Sequence, residues 1–508
     1  MVLEGMKYAS LVRSPSAIAI ALGPLLLCVV FLCLHGQWII SLCEGSGDYV
    51  LGLLDIEKAS RFEAYAGPYS RFRVRHPSPT LSYLLAGLTK GLHLSGSARG
   101  SVSLAQLVIN TVLLCAATVA MVRSGVTVFW ALVTFYVFVF LCSMTLPGVL
   151  ADIWGPCAVV APVFCFLCVV PLLARGAFEW TFWLVVSGCL ALSSHMGTVA
   201  VVCPVSLLVV ASLWCRRRQL PARTRLAAVS AVAAGLFAAA CLAPPVIDAL
   251  RNSGGNLLRV VRFLVLSPGS ARRLGLSAAP EFLGYFLSAP LGLPAWLGAL
   301  VLLMLVFVVI RRHILRPSEA RVEAVTVFVA CVGAVAGAAS IRGTPHQYLM
   351  LYMSGVVALL VSVAGRASSV VRHRARPSTL MVVALLMGCA LVSASVPARR
   401  NEPSGSTCGE ELEPFVTHFG LHKSQRVELR PAGAASWQAL SSSVYRLYRE
   451  GYTTCVPRRW SFLFGDELTC PRGEGMNGDA VRFAVFDSSE SSVPGLAFQS
   501  GRIAWLQE

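Results

Sequence analysis

The chain has 508 residues, of which 56% are hydrophobic and only 13% charged, and its mean hydropathy is +0.70; no soluble domain of this size could keep that balance in solution. Its net charge of +17 comes from 42 Lys and Arg against 25 Asp and Glu. These cations fall mostly in short gaps between apolar runs, the pattern that orients membrane helices and implies no polyanionic partner such as nucleic acid.

Apolar runs long enough to cross a bilayer as helices recur over residues 16–396, which excludes a β-barrel because every backbone amide is then satisfied within a helix. The 17 Cys lie mostly inside those runs, with no pair of CxxC motifs to build a zinc site, and read as small packing residues. The first span, 16–40, follows a short N-terminus bearing Lys7 and Arg13; it is too long for a cleaved signal peptide and enters from the cytoplasm.

Residues 43–95 form the first extracytoplasmic loop, which concentrates charge in a chain otherwise starved of it. Asp48 follows the first span by a few residues, so its partly desolvated carboxylate is a candidate general base at the outer boundary. Residues 49–62 mix Val50, Leu53, Leu54 and Ile56 with Asp55, Glu57, Lys58 and Arg61, as an amphipathic helix lying on the membrane does. In that reading Asp55 and Glu57 are solvated face residues.

The segments Gly67-Pro68-Tyr69-Ser70-Arg71 and His76-Pro77-Ser78-Pro79 are turn-forming and rich in donors, which suits an approach to phosphate or sugar. Arg71, Arg73 and Arg75 alternate and cannot all face one site; Arg71 and His76 are the preferred ligands. Residues 79–94 are apolar but short, predicting a re-entrant or interfacial helix.

Further spans are predicted at 102–122, 126–144, 154–174, 178–194, 198–214, 226–246, 292–310, 322–341, 348–365 and 379–396. If 79–94 does not cross, the gaps holding Arg123, Arg175, Arg216 to Arg218, Arg311, Arg312 and Arg366 all fall on the cytoplasmic side; if it crosses, the strongest of them fall outside. Asp152, the lone acid of a long apolar region, and His195 at the outer end of 178–194 lie at one level and are candidate substrate ligands, with helix capping and a buried hydrogen bond as the bland alternatives. Asp248 with Arg251, Arg259, Arg262, Arg272 and Arg273 forms an outside cluster whose excess cation calls for an anion, either a lipid-linked phosphate or anionic lipid. Arg342 and His346 are weaker members of the same class.

Residues 1–397 thus read as the transmembrane domain and 398–508 as a small extracytoplasmic α/β domain, with a helix at 436–450 and a strand at 481–486. Of Cys408, Cys455 and Cys470, spacing favours a Cys455–Cys470 disulfide in an oxidising compartment.

One helix, a large loop with a membrane-proximal acid, a proline-opened short segment and many further helices together resemble the GT-C glycosyltransferase superfamily, in particular its polytopic bacterial members. The resemblance rests on Gly47-Asp48, the 67–71 and 76–77 motifs, Asp152 with Trp154 and Pro156, Ser194-His195-Met196-Gly197, and Pro244-Pro245 with Asp248, while 445–465 is similar to the soluble tail of the group. Such relatives read GPYSRFGWNHPGP in the loop and WNP at the second site, so Arg73-Val74-Arg75, Ser78 and Gly155 are departures.

The resemblance implies an all-α polytopic membrane protein of about eleven transmembrane helices, in a bacterial cytoplasmic membrane with the C-terminal domain outside. It also implies an inverting transfer of a sugar from a polyprenyl-phosphate donor to a glycan, lipid or protein acceptor. Asp48 would deprotonate the acceptor, with Tyr69, Arg71, His76, Asp152, His195, Asp248 and Arg262 as candidate substrate ligands. Some such relatives need a divalent metal and others do not; this sequence shows no clear ligand cluster, so no metal or other cofactor is expected. A glycan polymerase or ligase of another fold would shift the chemistry to the 248–290 loop. A transporter or flippase is the non-enzyme alternative, disfavoured because the chain shows no internal repeat.

Overall fold

The computed structural model describes residues 15–40, 42, 47–70, 72, 74–92, 97–146, 148–217, 224–252, 254–266, 273–315, 320–366, 412–432, 436–470, 480–487, 498–500 and 503–507. In chain order its principal elements begin with α1 (Pro15–Ile40), α2 (Asp48–Ser60), β1 (Tyr69–Ser70), β2 (Val74–Arg75), α3 (Thr80–Gly91), α4 (Ala98–Arg123) and α5 (Val128–Thr145). Then come α6 (Val160–Ala174), α7 (Thr181–Ser194), α8 (Val199–Cys215), α9 (Arg225–Arg251), α10 (Gly255–Leu266), α11 (Ala279–Ser288), α12 (Ala295–Val309), α13 (Arg321–Ala339) and α14 (Met353–Arg366). The C-terminal part holds α15 (Leu412–Phe419), β3 (Arg426–Pro431), α16 (Trp437–Arg449), β4 (Thr453–Cys455), β5 (Ala480–Asp487), β6 (Phe498–Ser500) and β7 (Ile503–Gln507).

Seven helices are long and apolar enough to cross a membrane, and three shorter apolar ones accompany them among the described residues. Together they match every expected span except the last, 379–396, which lies outside the described residues. Helix α3 has 12 residues, about 18 Å at 1.5 Å per residue, well short of a hydrocarbon core of about 30 Å. The protein is a multi-pass membrane protein.

Contacts divide the chain into two compact units: Met1–Gly36, Gln106–Leu242 and Ser267–Arg399 form one, and Gln37–Ala105, Ala243–Leu266 and Arg400–Glu508 the other. The composition boundary at 397/398 falls outside the described residues, and the C-terminal segment groups with the first loop and with the start of the 248–290 loop.

In the first unit α6 is buried along its whole length, as a helix apolar on every face should be at the centre of a bundle. One end of this bundle gathers polar groups from distant gaps. The Arg175 guanidinium grips both oxygens of Glu323 at 2.8 Å and the Ser124 carbonyl at 2.9 Å, and the His313 ring bonds the Val363 carbonyl at 3.0 Å. The gaps after α4, α6, α12 and α14 therefore meet at one end.

In the second unit the C-terminal chain builds a five-stranded mixed sheet in the order β4-β3-β5-β7-β6, with β3 parallel to β4 and β5, and β7 antiparallel to β5 and β6. Helix α16 makes the crossover between the parallel strands β3 and β4, a connection that needs a helix-length link. Its Leu440, Val444 and Leu447, spaced for one face, are fully buried, as are Val427, Leu429, Phe483 and Val485 of the sheet. Cys455, at the end of β4, forms the expected disulfide with Cys470, and Cys408 lies outside the described residues.

Candidate active site

Helix α2 opens the candidate site, because Asp48 is its first residue. A carboxylate in a first turn is favoured by the unpaired amides and dipole of the helix N-terminus. Gly47 caps the helix at φ +60, and a Cβ there would stand 2.9 Å from the Trp437 ring of α16, so only glycine fits between the two helices. The half-buried Asp48 carboxylate accepts a hydrogen bond from the Tyr69 hydroxyl.

Tyr69 lies on a small hairpin in which β1 pairs with β2, Tyr69 opposite Arg75 and Ser70 opposite Val74. The Arg75 guanidinium locks this hairpin in place. Its Nε donates to the Gly67 carbonyl at 2.9 Å, one Nη to the Leu463 carbonyl at 3.0 Å, and the other Nη to Asp55 of α2. One buried side chain thus ties the strand carrying Tyr69 to the helix carrying Asp48.

Asp55 is 3% exposed, so the solvated-face expectation for it is wrong. Its position in α2 is buried together with Val50, Leu51, Leu53, Leu54, Ile56 and Lys58, because α2 is covered on several sides. Lys58, 1% exposed, bonds the Phe464 carbonyl and pairs with Glu467 at 2.6 Å. The buried Arg75, Lys58 and Asp55 thus meet the more exposed Glu467 at their edge, and the two cations and two carboxylates balance.

Burial pushes the Asp55 carboxyl up against the pull of Arg75 and Lys58. Burial also acts to raise Glu467, but the Lys58 and Arg75 charges outweigh it and hold that carboxyl below its ordinary value. Arg75 is held up by Asp55 and Glu467 in spite of its burial.

A second clasp comes from the start of the 248–290 loop. The Asn256 amide takes the Arg75 N–H on its Oδ1 at 3.0 Å and donates from its Nδ2 to the carbonyls of Arg75 at 3.1 Å and His76 at 3.3 Å. Asp248 holds Asn256 and its helix: its two oxygens accept from the Asn256 N–H at 2.6 Å and the Asn252 amide at 2.7 Å. Phe72 stacks on Phe263 of α10 with ring centroids 5.1 Å apart.

The expected ligands are thus distributed unevenly. Asp48, Tyr69, His76, Asp248 and Arg262 lie in the second unit; Asp48 and Tyr69 touch, His76 is buried with its backbone bonded to Gly67, Pro68 and Asn256, and Arg262 is exposed on α10. Arg71 lies outside the described residues. Arg259, beside Arg262, pairs with Asp466 at 2.5 Å.

Asp152 and His195 belong to the first unit. Asp152 is buried and accepts from the Trp154 N–H at 2.9 Å, and His195 Nδ1 accepts from the Gly197 N–H at 3.0 Å, so each supports its own turn. Those turns approach each other, since a Cβ on Gly155 would lie 3.0 Å from the Ser194 carbonyl. Trp154 also meets Tyr348, whose ring stacks on His346.

Sequence reasoning missed Asn256, Lys58 and Glu467. No local signal marks an Asn that bonds a backbone 181 residues away; the acids and bases of α2 were visible, but not which way they faced. Among the described residues no group of three or more His, Cys, Asp and Glu is placed to hold a metal ion.

No protein-family model matches the chain, and no curated protein does. Among the solved structures that share its fold are two of one protein. The apo structure of ArnT from Cupriavidus metallidurans superposes with a TM-score of 0.54 at 12% identity, covering 94% of this chain and 97% of that one. The structure of the same protein bound to undecaprenyl phosphate gives a TM-score of 0.53 at 12% identity, with 97% of each chain covered. The chain has the polytopic membrane GT-C fold.

Proposed function

We propose that this protein is a membrane glycosyltransferase that moves a sugar from a polyprenyl-phosphate donor to a cell-envelope glycan, lipid or protein acceptor on the outer face of a bacterial cytoplasmic membrane. The observation that carries the reading is the fold, common over nearly the whole length to a structure caught with undecaprenyl phosphate. In this chain it comes with a carboxylate at a helix N-terminus, bonded by a tyrosine, in the first loop.

The chemistry asks little of the protein beyond that pair. Asp48 takes the proton of the acceptor hydroxyl as its oxygen attacks the anomeric carbon, and the bond to the phosphate oxygen breaks on the opposite side, inverting the centre. Tyr69 occupies Oδ1 of Asp48 and leaves the second oxygen for the acceptor. The departing phosphate needs cations, for which Arg71 and Arg262 are the candidates, with His76 as a further substrate ligand. Both Asp248 oxygens already hold Asn252 and Asn256, so its contribution is to shape the wall of the site. That arrangement also weighs against a polymerase reading in which the 248–290 loop does the chemistry.

The test is Asp48→Asn, assayed by complementation of a cell-envelope glycan defect and by transfer from a polyprenyl-phosphate sugar in membranes. A loss of about 10²- to 10⁴-fold is expected for a general base. Full activity at an unchanged protein level would overturn the proposal.

A further inference from the structure

The cations around the Asp48–Tyr69 pair converge on one short ring of chain. The Cys455–Cys470 disulfide closes residues 455–470 into a loop, and within it Leu463, Phe464, Asp466 and Glu467 each accept from a cation outside it. The Leu463 carbonyl accepts from Arg75 of β2 at 3.0 Å, and the Phe464 carbonyl from Lys58 of α2. Glu467 pairs with the same Lys58 at 2.6 Å, and Asp466 with Arg259 of α10 at 2.5 Å.

The ring is built to present those acceptors. Leu463 and Phe464 end a single helical turn, Ser461–Phe464, whose last carbonyls find no partner within the turn and so take donors from elsewhere. That turn packs on both strands of the hairpin that carries Tyr69. Gly465 follows at φ +86, where a Cβ would run into the Glu467 carboxylate. The chain then returns through backbone bonds from the Val456 N–H to Leu468 at 2.9 Å and from the Cys470 N–H to Val456 at 3.0 Å. Cys455 ends β4, so the ring is rooted in the five-stranded sheet.

Two successive carbonyls therefore fix the spacing between β2, whose hairpin carries Tyr69, and α2, which carries Asp48. A loop of this length without its disulfide samples many more arrangements, and the bond removes most of them. Lys58 stands ten residues along α2 from Asp48, about 15 Å at 1.5 Å per residue, so it acts through the helix and not on the reacting atoms. We infer that the disulfide-closed ring is the positioning element of the transfer site: it sets Asp48 against Tyr69 through Lys58 and Arg75, so that a chain lacking the bond keeps its fold but loses sugar transfer, a loss that rests on the glycosyltransferase reading above.

The test uses the full-length protein with Cys455→Ser and Cys470→Ser together, and has one readout that needs no substrate. Hydrogen exchange at the Gly67, Arg75 and His76 amides of the hairpin should quicken about tenfold or more while the helices of the first unit keep wild-type rates. Transfer per folded molecule, in the assay used for Asp48→Asn, should fall about 10²-fold, the effect of a misplacement of about 1 Å. Lys58→Met should act in the same direction, with Lys58→Arg restoring part of the rate, and it decides the matter if the cysteine variant does not fold. In an Asp48→Asn background neither change should lower the residual rate further, because both act through Asp48; damage spread over the whole protein would lower it by the same factor again. Wild-type exchange in the hairpin, full transfer by the cysteine and Lys58→Met variants while Asp48→Asn loses it, or an equal further loss on top of Asp48→Asn would each overturn the positioning role. Full transfer by Asp48→Asn would instead overturn the glycosyltransferase mechanism, and the exchange rates would still decide whether the ring holds the hairpin.

Discussion

Asn256 holds Arg75 by both sides of the peptide chain: its amide oxygen takes the Arg75 N–H at 3.0 Å while its amide nitrogen donates to the Arg75 carbonyl at 3.1 Å. A side-chain amide used in this way stands in for a neighbouring strand. It pairs the hairpin edge that would otherwise be left open, and it does so beside the guanidinium that sets the distance from Tyr69 to Asp48.

Asn256→Ala should therefore leave two buried backbone groups without their partner, a loss of about 1–3 kcal/mol in the second unit. Limited proteolysis of the 61–78 loop in membranes, compared with wild type, would reveal it as faster cleavage. Asn256→Asp keeps one acceptor but adds a carboxylate next to Asp248 and should be worse than Ala.

Breaking the Arg75–Asp55 pair from one side should cost more than removing it altogether. Arg75→Met alone leaves a buried carboxylate and is expected to destabilise by about 3–5 kcal/mol, whereas Arg75→Met with Asp55→Leu should recover much of that. Thermal unfolding of the purified variants measures the coupling. If the double variant is no better than the single one, Arg75 acts through its bonds to Gly67 and Leu463 and not through charge.

Tyr69→Phe should preserve the fold and lower sugar transfer about tenfold, since it deletes one hydrogen bond to a charged group. In an Asp48→Asn background the same change should have almost no further effect, because the two residues act as one unit. Kinetics of the two singles and the double would show independent losses if the proposed roles are wrong.

Acid should loosen the second unit through Glu467. Its carboxyl is held below the ordinary value by Lys58 and Arg75, so the unfolded chain binds the proton first and the stability that Glu467 provides is present above about pH 4.3, the usual Glu value. It is lost as pH falls through the lower, folded value. Asp55 works the other way, its raised carboxyl favouring the protonated fold. Glu467→Gln should flatten the acid limb of a pH–stability curve, and an unchanged limb would assign the acid response to other groups.

Much of this was legible in the chain and some of it could not be. The spans were readable because about 20 apolar residues in a row have one physical use, and the short α3 was recognisable from its length. Cys455 and Cys470 were close enough in sequence, 15 residues apart, for spacing to suggest the pair. Asp55 was misread because a charge in an amphipathic pattern is normally the wet face, and the partner that allows it inside, Arg75, sits 20 residues on, across a turn. Asp48 stood out by its place after α1, yet its contact with Tyr69 depends on a hairpin register that only the folded unit fixes.

Lys58 finds its acceptor at Phe464 and its counter-ion at Glu467, separations of 406 and 409 residues. A ribosome adding about 5–20 residues per second needs roughly 20 to 80 s to cover that interval. For all that time the first loop is already synthesised, with a lysine and an arginine destined for the interior and no finished interior to enter. Its cations must stay hydrated, or be shielded by a chaperone, until the final hundred residues emerge and close over them. A translational stop anywhere before Leu463 would accordingly strand the loop that carries Asp48, although every residue of that loop had been made correctly.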